Sequence, residues 1–163
     1  MPPMRPAGPS SEPDLRACLL GAIPALRAFA HSLAEDGGRG DDLVQDTLLH
    51  AWSCADGAAR GDVTAWLFAI LHRRFYAERP PALGRAERNA PRDTAHAAPM
   101  VFREALRRLP DTQREALLLV GAQRFTYGEA AAICGVAVGT LKSRVARARA
   151  RLAADLGPQS AQP

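Results

Sequence analysis

The chain has 163 residues, room for one medium domain or two small helical ones, and is 47% apolar but only 6% aromatic. Its net charge of +4 is too modest for a uniformly basic nucleic-acid binder, so the distribution matters more: residues 1–78 hold seven Arg against ten acids, a net −3, and residues 100–163 hold ten Lys and Arg against five acids, a net +5. Three scattered cysteines (Cys18, Cys54, Cys134) without a CxxC pair argue against a disulfide framework or zinc site, so a cytoplasmic home is expected.

No apolar run approaches the ~20 residues of a bilayer span, and MPPMRPAGPSSEP lacks the apolar core of a signal peptide, so no membrane is expected. This Pro-rich start, residues 1–13, is expected to be disordered. From Asp14 the stretch DLRACLLGAIPALRAFAHSLA places Leu15, Leu19, Ile23, Leu26, Ala30 and Leu33 at helical intervals, with Pro24 expected to kink the helix or restart a turn. EDGGRG should stop it. Asp41 or Asp42 can then cap DDLVQDTLLHAW, whose stripe of Leu43, Val44, Thr47, Leu48, Ala51 and Trp52 leaves Asp42, Gln45, Asp46, Leu49 and His50 outward.

A polar loop, SCADGAARGD, leads into a third helix, VTAWLFAILHRRFYAE, that mixes aromatics with Arg73 and Arg74. Trp52 and Trp66 are expected to be packing residues, as aromatics in small helical domains mostly are, whereas Phe75 and Tyr76 have the better claim to exposure. Residues 79–99, RPPALGRAERNAPRDTAHAAP, show no apolar period and read as a linker. Beyond it come MVFREALRRL, DTQREALLLVGAQ and the stretch from Tyr127 onward. No strand pattern appears, so the fold class is all-α: two small helical domains, 14–78 and 100–156, joined by a flexible linker, with 157–163 a disordered end.

EAAAICGVAVGTLKSRVARARARL has the plan of a helix-turn-helix, in which a small residue sits where two helices cross and a glycine where the chain turns: Ala131, Gly135 and Leu141 fit. On the second helix Val138, Leu141, Val145, Ala148 and Leu152 form one stripe, expected to be buried. The outward side carries Gly139, Lys142, Ser143, Ala146 and Arg147, with Thr140 beside them and Arg144, Arg149 and Arg151 on the flanks. Five cations and no anion in that half suit DNA: flanking Arg for phosphates, Lys142, Ser143 and Arg147 for base edges, and small Gly139 and Ala146 for close approach. The bland alternative is an amphipathic terminal helix with a solvated Arg face.

No catalytic, metal or cofactor site is visible. His31, His50, His72 and His96 are isolated, and there is no HExxH, phosphate-binding glycine loop or GxSxG serine.

DDLVQDTLLHAW, AWLFAILHRRFYAE and LRRLPDTQREALLLVGAQRFTYGEAAAICGVAVGTLKSRVARARARL, in that order, resemble the extracytoplasmic-function (group 4) sigma factors of bacterial RNA polymerase, closest to the alphaproteobacterial general stress response EcfG type. The resemblance implies two helical domains without catalytic residues. The first, sigma region 2, would dock on core RNA polymerase through Asp42, Gln45, Asp46 and Leu49. It would also melt the minus-10 element, with Asp56, Arg60, Asp62, Arg73, Arg74 and Tyr76 as candidates. The second, a sigma region 4 helix-turn-helix, would bind minus-35 promoter DNA. A small anti-sigma factor of the NepR type, removed by a sigma-like response regulator, is implied as well. The alternatives are a sigma-like decoy that binds an anti-sigma factor and a polymerase-independent helix-turn-helix regulator. The chain departs from the family pattern at Asp46, usually Glu, and at Gly128, usually acidic, where glycine weakens a helical turn by ~1 kcal/mol.

Overall fold

In a computed structural model, residues 12–34, 36–54, 61–78 and 99–157 are described. The fold is all-α, with seven helices and no strand among the described residues. The chain divides into two compact units, residues 1–91 and 92–163. Glu12 and Pro13, expected in the disordered start, belong to α1, and Gly157 of the expected disordered end is described; residues 1–11 and 158–163 and the linker body lie outside the described residues.

In the first unit, α1 (Glu12–Ala34), α2 (Gly37–Ser53) and α3 (Val63–Ala77) pack mutually. Of the α1 stripe, Leu15, Leu19, Leu26, Ala30 and Leu33 are buried as its spacing requires and Ile23 is half-buried; the Phe29 ring meets Phe68 of α3 at 5.1 Å between centroids. The helix runs through Pro24 rather than restarting. Pro24 and Leu20 both lie on the solvent side, so water can satisfy the Leu20 carbonyl left without its helical donor. Over Asp14–Ala34 this helix has the length and mean hydropathy, 1.4, of a candidate membrane span, although Arg16 and Arg27 interrupt its apolar runs. Its apolar stripe is occupied by α2 and α3, as in any core helix.

EDGGRG stops α1, which ends at Ala34, as expected, but its glycines already belong to α2, and neither Asp41 nor Asp42 is the cap. Asp36 is the N-cap: its carboxylate accepts from the Gly38 N–H at 3.0 Å, and its carbonyl accepts from the Gly40 N–H at 2.9 Å. The physical reason lies at Gly40, which is buried where α2 crosses α1. A Cβ there would run into the His31 imidazole and lie 3.2 Å from the His31 backbone. Gly40 permits this close approach of the two helices.

Trp52, expected in the core, is 49% exposed. The buried face of α2 is centred on Gly40, Leu43, Val44, Thr47 and Ala51, and one residue beyond Ala51 the helix has turned a further ~100°. Thr47 keeps its hydroxyl satisfied by donating to the Leu43 carbonyl at 2.7 Å. Trp66 is half-buried. Phe75, expected to be exposed, is buried and meets half-exposed Tyr76 edge-on at 5.0 Å.

In the second unit, α4 (Met100–Arg108), α5 (Asp111–Gly121) and α6 (Tyr127–Cys134) each pack on α7 (Val138–Asp155). Ala105 and Leu109 meet Ala148 and Leu152, with Phe102, Leu106, Leu117 and Leu156 around them. Leu109 is extended, as a residue before proline prefers, and so makes the corner between α4 and α5. Arg114, 1% exposed, closes that corner: it donates to the Arg107 and Leu109 carbonyls at 3.2 and 3.5 Å and to the Asp111 carboxylate at 2.7 Å. A buried guanidinium is tolerable only with such partners.

Candidate nucleic-acid interface

The α6–α7 pair is built by local chemistry at both ends of α6. At its start Thr126 Oγ1 accepts from the Glu129 N–H at 3.2 Å, while the Glu129 carboxylate accepts from the Thr126 N–H at 2.8 Å. This reciprocal box holds the first turn that Gly128 would otherwise weaken. At its end Gly135 is left-handed, φ 65°, and the Gly135 and Val136 N–H groups return to the Ala132 and Ala131 carbonyls at 3.3 and 3.0 Å. A glycine is required at this turn. The crossing residues Ala131 and Leu141 are both buried.

On α7, Leu141, Val145, Ala148 and Leu152 are buried as expected, but Val138 is 42% exposed. It sits in the first turn, ahead of the point where α6 covers the helix. Gly139, Thr140, Lys142, Ser143, Ala146, Arg147, Arg149 and Arg151 are all exposed, and Arg144 is half-buried. Among the described residues no carboxylate pairs with Lys142, Arg144, Arg147, Arg149 or Arg151, so this cationic face is electrostatically uncommitted. Ala137 supplies no side-chain cap, leaving first-turn N–H groups without a side-chain acceptor, the usual setting for a phosphate oxygen. Lys142 alone of the five touches an aromatic face, with Nζ 5.7 Å from the Tyr127 ring centroid.

Beneath this surface Cys134 is buried. Burial pushes its thiol up to about 12, Glu115 adds to the effect, and Arg144 opposes it.

In the first unit, Asp42, Gln45 and Leu49 are exposed and Asp46 is half-buried. Leu49 is 62% exposed and borders an apolar groove of about 280 Å³ between α1 and α2, with Leu20 and Trp52 on its other margins. The sequence reading found the α2 contribution and missed Leu20 and Trp52. The available signal was that Leu20 lies off the α1 stripe and that Trp52 follows Leu49 by three residues, on the same face.

The candidates around α3 are less uniform. Asp56 and Arg60 lie outside the described residues. Asp62 is the α3 N-cap, accepting from the Thr64 N–H at 2.9 Å, which gives it a structural task. Arg73 is exposed and donates Nε–H to the Ala69 carbonyl at 3.3 Å; Arg74 is half-buried; the Tyr76 ring lies 4.8 Å from that of His72.

Residues 22–79 match the family model "Sigma-70 region 2" and residues 100–152 match "Sigma-70, region 4". The chain is 49% identical over 154 residues to the ECF RNA polymerase sigma factor EcfG of Rhodopseudomonas palustris, covering 88% of this chain and 85% of that one. Among solved structures it is similar to the sigma factor RpoE in complex with the anti-sigma factor NepR from Bartonella quintana, with 41% identity, a TM-score of 0.73, and coverage of 88% of this chain and 96% of that one. A chain of the Bartonella quintana complex of the anti-anti-sigma factor PhyR with NepR shares the fold at 17% identity and a TM-score of 0.64, over 88% of this chain and 51% of that one.

Proposed function

The chain belongs to the ECF RNA polymerase sigma factors, and on that premise we propose how its two units share the work of promoter recognition. It is an initiation factor that binds core RNA polymerase and directs promoter-specific transcription. The family is not enzymatic in general, and we assign this chain no catalytic step and a cytoplasmic location.

The second unit, taken as residues 100–156, places α7 in the major groove at the minus-35 element. Arg147, Lys142 and Ser143 read base edges, Arg144, Arg149 and Arg151 anchor phosphates, and the small Gly139 and Ala146, with Thr140, admit close approach. The single observation that carries this is the α7 face of five cations with no carboxylate partner among the described residues. The first unit, residues 14–78, docks on polymerase through Asp42, Gln45, Asp46 and Leu49. Arg73, Arg74 and Tyr76, with Asp56, Arg60 and Asp62 near the loop, serve the minus-10 element, where unstacked bases want aromatic faces and cationic rims.

Control by a small anti-sigma factor of the NepR type is supported by the likeness to a sigma factor solved with NepR. Release by a response regulator carrying a sigma-like domain is supported by the shared fold in the PhyR complex. Regulation of stress-response genes fits that pairing.

The test is transcription by reconstituted holoenzyme from a library of minus-35 substitutions at two salt concentrations. Arg147→Ala is expected to cost ~1 to 3 kcal/mol at the preferred promoter and to flatten discrimination at one base pair. Arg149→Ala should weaken every promoter alike and lower salt sensitivity. Uniform losses in both variants would remove Arg147 from the readers.

A further inference from the structure

Lys142 stands apart from the other cations of α7. It is the only lysine in the chain, and its ammonium lies over the ring of Tyr127, on the neighbouring helix, at 5.7 Å. Both ends of that contact rest on fixed backbone. Tyr127 is the first residue of α6, held by the Thr126–Glu129 box, and Lys142 follows Leu141, which is 0% exposed in the α6–α7 crossing. The left-handed turn at Gly135 sets the distance between the two.

A lysine is a point charge on a stem of four rotatable carbons, so an unsupported one spreads over many rotamers before it meets an acceptor. An aromatic face beneath the ammonium narrows that distribution while leaving the N–H donors toward solvent. The other exposed cations of α7, Arg147, Arg149 and Arg151, have no such support among the described residues; a guanidinium fork is already planar and needs less.

We infer that Tyr127 is a positioning residue for promoter selectivity: its ring face holds the Lys142 ammonium toward the α6 side of the α7 surface before DNA arrives, so that Lys142 addresses one acceptor-rich base edge, such as guanine, instead of the backbone at large. The inference rests on the reading of α7 as the minus-35 helix. It requires the ring and not the hydroxyl.

The experiment is initiation by holoenzyme from the minus-35 library with Lys142→Ala, Tyr127→Phe, Tyr127→Leu, the Tyr127→Leu/Lys142→Ala double variant and Arg147→Ala, each checked for an unchanged thermal melting profile. Lys142→Ala should lose discrimination at one base pair. Tyr127→Leu should lose the same discrimination by about two- to fivefold, the span of an exposed cation–ring contact. The double variant should be no worse than Lys142→Ala alone, and Tyr127→Phe should keep the wild-type selectivity. A change at Lys142→Ala with none at Tyr127→Leu overturns the inference, as does independent multiplication of the two losses or a Tyr127→Phe defect equal to that of Tyr127→Leu. If neither Lys142→Ala nor Arg147→Ala alters the library profile, the minus-35 reading of α7 falls first; if both do, the Tyr127 variants judge this inference alone.

Discussion

The imidazole of His31 and the carboxylate of Asp41 meet at 2.8 Å, tying the last turn of α1 to the first half of α2. Arg27 adds its Nε at 3.3 Å. The hydrogen bond from His31, reinforced by the charges of His31 and Arg27, holds the Asp41 carboxyl below its ordinary value of 3.8 against a smaller opposing effect of burial. A carboxylate lowered on folding contributes stability that is complete above its unfolded value and lost as pH falls through the folded one. Asp41→Asn should therefore lower stability above pH 3.8, where the contribution is complete, and flatten the acid limb below it, so that the variant and the parent converge in acid. Urea midpoints measured between about pH 5 and 2 check this, and an unaltered acid slope would contradict it.

Gly40→Ala should be among the most damaging single-methyl additions in the first unit, because the new Cβ meets the His31 ring and backbone together. Overpacking of this kind costs about 1 to 3 kcal/mol. Gly38→Ala, whose Cβ would find only the Asp36 carboxylate at 3.5 Å, is the control for helix propensity. Equal effects at the two positions would show that close approach is not what Gly40 provides.

Thr126→Ala removes an N-cap whose partner, Glu129, also bonds back to it. About 1 kcal/mol of stability should go with it. Promoter selectivity should loosen at the base pair read by Lys142, since the box fixes the backbone of Tyr127. Denaturant melts together with the minus-35 library report both effects.

Thiol labelling should distinguish the cysteines. Cys18 and Cys54 are exposed, whereas Cys134 is buried and held as the neutral thiol by burial and Glu115. At pH 7 a maleimide should modify two thiols rapidly and Cys134 only upon unfolding. The raised thiol also gives a sign for alkaline stability: nothing is lost below the ordinary 9.0, and stability erodes as pH climbs from there toward about 12. Rapid labelling of Cys134 in the native chain at pH 7 would refute the buried assignment.

Reversing both Asp42 and Asp46 to Lys should reduce capture of core polymerase while helicity is retained, because Asp42 is exposed and Asp46 half-buried beside the groove bordered by Leu49. A pull-down with core enzyme and far-ultraviolet circular dichroism on the same samples decide it.

The helix phases were legible where a stripe was wide and regular. Leu15 to Leu33 on α1 and Leu141 to Leu152 on α7 followed from spacing alone, as did the turn at Gly135. What spacing did not disclose was chain-distant. EDGGRG does stop α1 at Ala34, but that its glycines open α2 is hidden until His31 is placed against Gly40, and Trp52 looks like core until Ala51 is seen to be the last buried position of α2. The Thr126–Glu129 box, by contrast, is written in the sequence as T-x-x-E. Arg114 could not have been found by hydrophobic period, since a buried guanidinium depends on three acceptors supplied by residues up to seven positions away.

The solitary lysine on an exposed stretch of α7 also makes the chain a single-reporter molecule. A lysine-specific endoprotease has one peptide bond to attack, after Lys142 in the middle of a helix, so cleavage can proceed only when α7 unwinds locally. The cutting rate is thus a clock for the opening of one helix, and its slowing in the presence of polymerase and promoter gives a footprint confined to that surface. Amine-reactive dyes meet no other lysine side chain.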